Sequence, residues 1–241
     1  MNILDSIKTS VLTPIHPAGI PFIALFFLMT IIMGWIWNPL YFVGITLTLW
    51  CVYFFRNPLR ITPSLSGSNK NNLIISPADG TVLEVSKVIP AAEIGLSQEN
   101  WTRVCIFMNV FDVHINRSPM LGKISYKKYI PGSFLNASLD KASDSNERLI
   151  LNMDTENGNK IAFVQIAGLV ARRIICDVEI GHSLKAGEIF GLIRFGSRVD
   201  VYFPSGVSVM VLKGQKMIAG ETIIGDFSKN AKPVKETIDE K

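Results

Sequence analysis

The chain of 241 residues has room for one sizeable domain and an appendage, and its 48% hydrophobic content is more than a single soluble core of that size requires. A formal net charge of +4 suits the anionic face of a membrane, while the lack of Lys and Arg runs interleaved with aromatics sets nucleic acid aside. Three cysteines, Cys51, Cys105 and Cys176, stand singly in apolar stretches without the paired spacing of a metal or redox site, and are expected to be buried thiols in a reducing compartment.

Residues 9–55 contain no Asp, Glu, Lys or Arg. Two apolar runs, 22–37 and 40–55, are separated by Asn38-Pro39, a natural turn and helix breaker. Each is a little shorter than the roughly 20 residues that cross a bilayer upright, so residues 1–62 are expected to form a tight helical hairpin that spans thinly or dips into one leaflet. Lys8 before it, with Arg56 and Arg60 after it, places both flanks on the cytoplasmic side of the cell membrane. A signal peptide fits less well, because the apolar region is long and divided and no small-residue cleavage site follows; a buried core hairpin is the other alternative. Trp35, Trp37, Tyr41, Trp50 and Tyr53 read as interfacial anchors.

Residues 63–72, rich in Ser, Asn and Lys, read as a linker, and 73–241 as a β-rich domain. Short β-type runs at 73–75, 81–85, 103–108, 122–129, 149–152, 160–167, 172–178, 188–195, 199–203, 207–211 and 221–224 predict a mainly β fold, an antiparallel sandwich or barrel. Residues 91–100 promise a turn or two of helix, 141–148 a mobile loop, and the tail from 228 a frayed end. Two segments, ISPADGTV at 75–82 and IGHSLKAGEIFGLI at 180–193, resemble the halves of a biotinyl or lipoyl hammerhead, which speaks to fold and not to activity.

Chemistry is concentrated in few residues. Gly196-Ser197, between two β-prone runs, sets a nucleophilic hydroxyl directly after an unhindered carbonyl, although Gly-Ser before a strand is ordinarily just a turn. Of three histidines, His16 lies among prolines ahead of the hairpin and His182 in a turn. His114 stands in an extended segment where Asp112, His114, Asn116 and Ser118 alternate with Val113, Ile115 and Arg117, so the polar four should share one face, and a lone His there can move a proton near pH 7. A structural, hydrogen-bonded histidine is the alternative. Asp79 sits where an Asx-turn carboxylate is expected. No metal-ligand spacing is present, and no GxSxG elbow accompanies Ser197.

Six ordered blocks, SPADG at 76–80, DVHINRSP at 112–119, YIPGSFLNAS at 129–138, NER at 146–148, VQIAGLVARRI at 164–174 and FGSRVDVYFP at 195–204, closely resemble the short bacterial and archaeal form of the phosphatidylserine decarboxylase family. The likeness extends to the apolar segment ending FFRNP at 54–58. It implies a zymogen that cuts itself between Gly196 and Ser197. An N-to-O acyl shift and elimination convert Ser197 into a covalent pyruvoyl group, so that neither metal nor pyridoxal phosphate is needed. Chains 1–196 and 197–241 stay together, and phosphatidylserine in an anionic membrane loses carbon dioxide through a Schiff base with that group, giving phosphatidylethanolamine. His114 matches the family's histidine of decarboxylation. Asp79 matches the aspartate of the self-cleavage triad, but Arg117 stands where longer members have the triad histidine, and a guanidinium cannot be that base. Either His114 serves both steps or Asp79 acts directly or through water. Arg117, Arg172 and Arg173 are candidates for the substrate phosphate or carboxylate, and a homo-oligomer is compatible with the pattern. The residues by themselves also leave open a membrane-anchored hammerhead module that binds or carries a ligand without catalysis, and a membrane-tethered serine hydrolase keeping Ser197 as a free hydroxyl.

Overall fold

The computed structural model describes residues 13–64, 71–138, 145–169, 173–194, 196–228 and 231–234. Lys8, most of the linker, the first part of the loop at 141–148, Arg172 and Phe195 lie outside them. The chain divides into two units, Met1–Leu59 with Phe111–Val113, and Arg60–Val110 with His114–Lys241.

In the first unit a 3-10 turn, Pro17–Gly19, leads into helix α1 (Ile20–Ile36), and α2 (Asn38–Phe54) packs back on it. His16 begins the 3-10 turn, its Nδ1 accepting the Ala18 N–H at 3.3 Å. The break between helices falls one residue earlier than the sequence suggests. Trp37 alone is extended (φ −158°, ψ 117°), and Asn38-Pro39 forms the first turn of α2. Proline is tolerated there because a first-turn N–H has no helical acceptor to lose. Close approach is bought by small residues: a Cβ on Gly44 would lie 2.7 Å from Thr30 Oγ1. The Thr30 and Thr48 hydroxyls meet at 3.0 Å and also bond to carbonyls within their own helices, so no polar group here competes with the apolar exterior. Phe27, Leu28, Trp35, Phe42 and Leu49 are exposed. Pro17–Ile36, of mean hydropathy 2.2, is the one described helix long and apolar enough to cross a membrane.

The second unit is built of antiparallel sheets. The largest has eight strands, and its middle is β2 (Gly80–Val88), β3 (Trp101–Met108), β11 (Ser197–Pro204), β7 (Lys160–Ile166), β6 (Arg148–Thr155) and β5 (Gly122–Ile130), in that order. The two-residue strands β13 (Lys216–Met217) and β9 (Ser183–Leu184) flank it. Two three-stranded sheets accompany it: β4 (Ile115–Arg117), β10 (Ile189–Ile193) and β8 (Ile174–Cys176), with β10 central; and β1 (Leu73–Ile75), β14 (Ile223–Asp226) and β12 (Ser208–Val209), with β14 central. All eleven expected β runs contain a strand. The three not foreseen, β4, β9 and β13, are too short for alternation to register.

Strand β11 is central and buried on both faces. Val199, Val201 and Phe203 join Val104, Ile106, Met108, Phe163 and Phe190 in the main core, while Tyr202 packs on the other face with Trp101, Ile150, Val164 and Ile166. Cys51 and Cys105 are buried as expected, whereas Cys176, on the short strand β8, is only partly covered. Phe163 is fully buried, its ring 4.9 Å from that of Phe190. Phe163→Ala is expected to cost about 3–5 kcal/mol in urea-induced unfolding followed by fluorescence.

Candidate active site

Ser197 is not part of a turn: it is the first paired residue of β11, opposite Met108 of β3. The turn is made by Gly196, at φ +60°, a conformation that side chains rarely adopt. Ser197 is fully buried, and its Oγ has no hydrogen-bond partner among the described residues. A buried orphan hydroxyl forgoes its water bonds, a cost that structures tolerate mainly where chemistry uses the group.

His114 is also fully buried. Its carbonyl accepts the Ile193 N–H of β10 at 3.2 Å, which fixes the backbone just ahead of β4. Its Nε2 accepts the Gly196 N–H at 3.1 Å. A ring nitrogen that accepts carries no proton, so Nε2 is a free base directed at the residue whose carbonyl precedes Ser197. On the carbonyl side, a Cβ built on Gly168 would lie 1.9 Å from Gly196 O and 2.9 Å from its carbon. Only glycine at 168 leaves room for that carbonyl.

Several sequence blocks combine to hold Gly168 there. Asn146, fully buried, donates through Nδ2 to Leu135 O (2.8 Å) and Ala167 O (2.7 Å) and accepts Leu135 N–H through Oδ1 (2.9 Å). The Ala167 N–H in turn donates to Glu147 O at 2.9 Å. One side chain thus ties the loop at 131–138 to the residue before Gly168. The alternation expected around His114 is only partly realised: His114, Asn116 and Ser118 are fully buried, but Asp112 groups with the helical unit, and the strand is limited to Ile115–Arg117.

On the other face of β11, Arg198 and Asp200 form a buried ion pair, with Nη2 at 2.8 Å from Oδ2 and 2.8 Å from Cys105 Sγ. Burial works against the Arg198 charge, but the adjacent carboxylate raises its pKa above the ordinary arginine value. Burial, then Asp200, pushes the Cys105 thiol up, which leaves it protonated and unreactive.

In the turn that carries Asp79, Ser76 Oγ donates to Ala78 O at 2.7 Å. The Asp79 carboxylate accepts from Arg60 Nη2 and from the Ala219 N–H, each at 2.7 Å. Strand β3 lies between β2, which follows Asp79, and β11, which starts at Ser197. Arg117 donates through Nη1 to Gly187 O at 3.0 Å, and burial, then Arg60, draws its pKa down. Arg173 is exposed. Gly196, Ser197 and His114 are therefore brought together, while Asp79 and Arg117 share the neighbourhood of Arg60. His182 caps a turn, accepting the Glu179 N–H at 3.1 Å. Gly168, Asn146 and Arg60 were not singled out by sequence reasoning; only their membership of the quoted blocks, or for Arg60 its place beside the apolar run, drew notice to them.

The family described as Phosphatidylserine decarboxylase matches the chain over residues 47–225.

Because Gly168 faces the Gly196 carbonyl at less than contact distance for any side chain, Gly168→Ala is expected to displace that carbonyl. The self-scission at 196–197 that the resemblance implies, followed on denaturing gels, should slow at least tenfold in that variant, with the melting temperature lowered by only a few degrees.

Proposed function

The chain belongs to the phosphatidylserine decarboxylase family, and from that premise we propose how its own residues make and use the pyruvoyl group. Members are carboxy-lyases of phospholipid biosynthesis that remove carbon dioxide from phosphatidylserine through a pyruvoyl group, and this chain is one of them. In our reading the group arises from Ser197. The observation that carries it is the buried, unpartnered Ser197 Oγ behind a left-handed Gly196 whose N–H is held by His114.

Ser197 Oγ attacks the Gly196 carbonyl carbon. The new C–O bond replaces the C–N bond, and the hydroxyl proton passes to the freed nitrogen, giving an ester and an amine. His114 Nε2, already unprotonated beside Gly196, carries that proton, then takes the Ser197 Cα proton as Gly196 leaves as a carboxylate. Tautomerisation and addition of water release ammonia and leave a ketone at residue 197. That ketone, once formed, is the electron sink for the carbanion left by carbon dioxide.

This sequence gives His114 both roles, consistent with Arg117 at the position where another base would stand. In the uncut chain Nε2 accepts the Gly196 N–H; it exchanges that bond for the Ser197 protons during self-cleavage, and once Gly196 has departed it can donate a proton to the substrate carbon. Asp79, already held by Arg60 and Ala219 N–H, then acts by ordering the segment around β2. Arg173, exposed, with Arg117 and Arg172, is assigned to the headgroup phosphate or carboxylate. Chains 1–196 and 197–241 remain one body because β11 pairs along its whole length with β3 and for five residues with β7.

The substrate's two acyl chains keep it in a bilayer, and we assign residues 1–62 to the cytoplasmic face of the cell membrane, with 63–72 as linker and 73–241 as the decarboxylase domain. The apolar Pro17–Ile36 and the net charge of +4 support that placement on an anionic leaflet.

With phosphatidylserine vesicles as substrate, Ser197→Ala should stay one chain and form no phosphatidylethanolamine; normal processing of that variant would place the cut elsewhere. His114→Ala should lose decarboxylation at least a thousandfold and remain mostly uncut, whereas full cutting without activity would assign the first step to another base.

A further inference from the structure

Beside Ser197 lies a second buried group with nothing to bond. Gln165 of β7 is fully buried, its Nε2 donates to Asn116 Oδ1 at 2.8 Å, and its Oε1 has no partner among the described residues. Asn116, also fully buried, directs its Nδ2 at Met108 Sδ, 3.6 Å away. A thioether only accepts, so Met108 sets the polarity of the whole row. The Asn116 amino group must face sulfur, its oxygen must face Gln165, and Gln165 must turn its amino group to Asn116. The oxygen of Gln165 is thereby left as an acceptor in need of a donor.

The sheet register says where that donor is. Met108 is the direct partner of Ser197 on β3, and Gln165 is the direct partner of Val199 on β7. Ser197 and Val199 are two residues apart and so face the same side. The row Met108, Asn116, Gln165 therefore runs from one neighbour of β11 to the other, across the face on which Ser197 lies. Gln165 stands one diagonal step from Ser197, about 7–8 Å between backbones, which a long side chain bridges. Among the described residues two orphans lie on that face, a hydroxyl that can donate and an amide oxygen that can only accept; they do not bond each other in the resting geometry, so the contact forms on rotation of the side chains.

We propose that Gln165, oriented by Asn116 and Met108, is a positioning residue for self-cleavage: its Oε1 accepts the Ser197 O–H and so turns an oxygen lone pair toward the Gly196 carbonyl. The inference rests on Ser197 being the cleaving nucleophile. Gln165 takes no proton; it sets the rotamer, and as the C–O bond forms the hydroxyl proton leaves the Gln165 oxygen for the base, which passes it to the freed nitrogen. Asn116 occupies a position in the segment after His114 that had been read only as part of a polar face, and the row gives it a task.

The experiment follows conversion of the full-length chain into two pieces, by denaturing gel and intact mass, in freshly made protein. Gln165→Met, similar in length and without the acceptor, is expected to slow conversion at least tenfold. Gln165→Glu, which keeps an acceptor there, should return the rate to within about threefold of the parent. In a Ser197→Cys background, where the thiol is a weak donor, Gln165→Met should cost less than threefold, because the lost bond is no longer there to lose. If Gln165→Met does not fold, Met108→Leu provides the same reading: with the polarity of the row released, cutting should slow several-fold. Parental rates in Gln165→Met, or an equal loss in the serine and cysteine backgrounds, would overturn the proposal. A parent chain that is never cut at 196–197 would instead overturn the underlying reading of Ser197.

Discussion

The peptide between Gly196 and Ser197 is fixed by contacts on both sides, and much of the second unit exists to maintain them. His114 Nε2 holds the Gly196 N–H, and the bare Cα of Gly168 admits the Gly196 carbonyl. Immediately downstream, Ser197 opens the ladder with β3, and β7 joins from Arg198 on the other side. Amide resonance still makes this peptide a poor electrophile, but the entropy of bringing it and the neighbouring hydroxyl together has been spent during folding. The left-handed geometry at Gly196 belongs to the same constraint, since it sets the direction in which the chain enters β11.

Much of this was legible in the sequence, for a definable reason. Long β runs such as 103–108 and 160–167 alternate or saturate in apolar residues, and each formed a strand because its burial outweighs any local preference. The hairpin was equally clear from 9–55 without a charge, yet its turn was misplaced by a residue: proline reads as a breaker, while in the fold it starts the second helix. The same kind of error put Ser197 in a turn. Gly-Ser signals a bend, and only pairing with Met108, far away in sequence, makes the serine part of a strand.

The site itself was legible in the residues proposed to react and hidden in the residues that surround them. Ser197 and His114 carry recognisable chemistry, and a rare residue type can be weighed one by one. Gly168, Asn146 and Gln165 carry none; they matter because the fold sets them against a particular carbonyl, loop or side chain, and no local pattern encodes that meeting. Asp79 drew notice as a turn carboxylate, and the fold adds partners that no local pattern encodes, Arg60 and a backbone N–H across the chain.

The account turns on the conversion of Ser197 into the reactive group of a decarboxylase. Intact-mass analysis of purified, active protein tests it most directly. Two polypeptides are predicted, residues 1–196 and 197–241, the smaller lighter than its sequence mass by the change from an N-terminal serine to a pyruvoyl group and resistant to Edman degradation. A single full-length chain in a fully active preparation would contradict it.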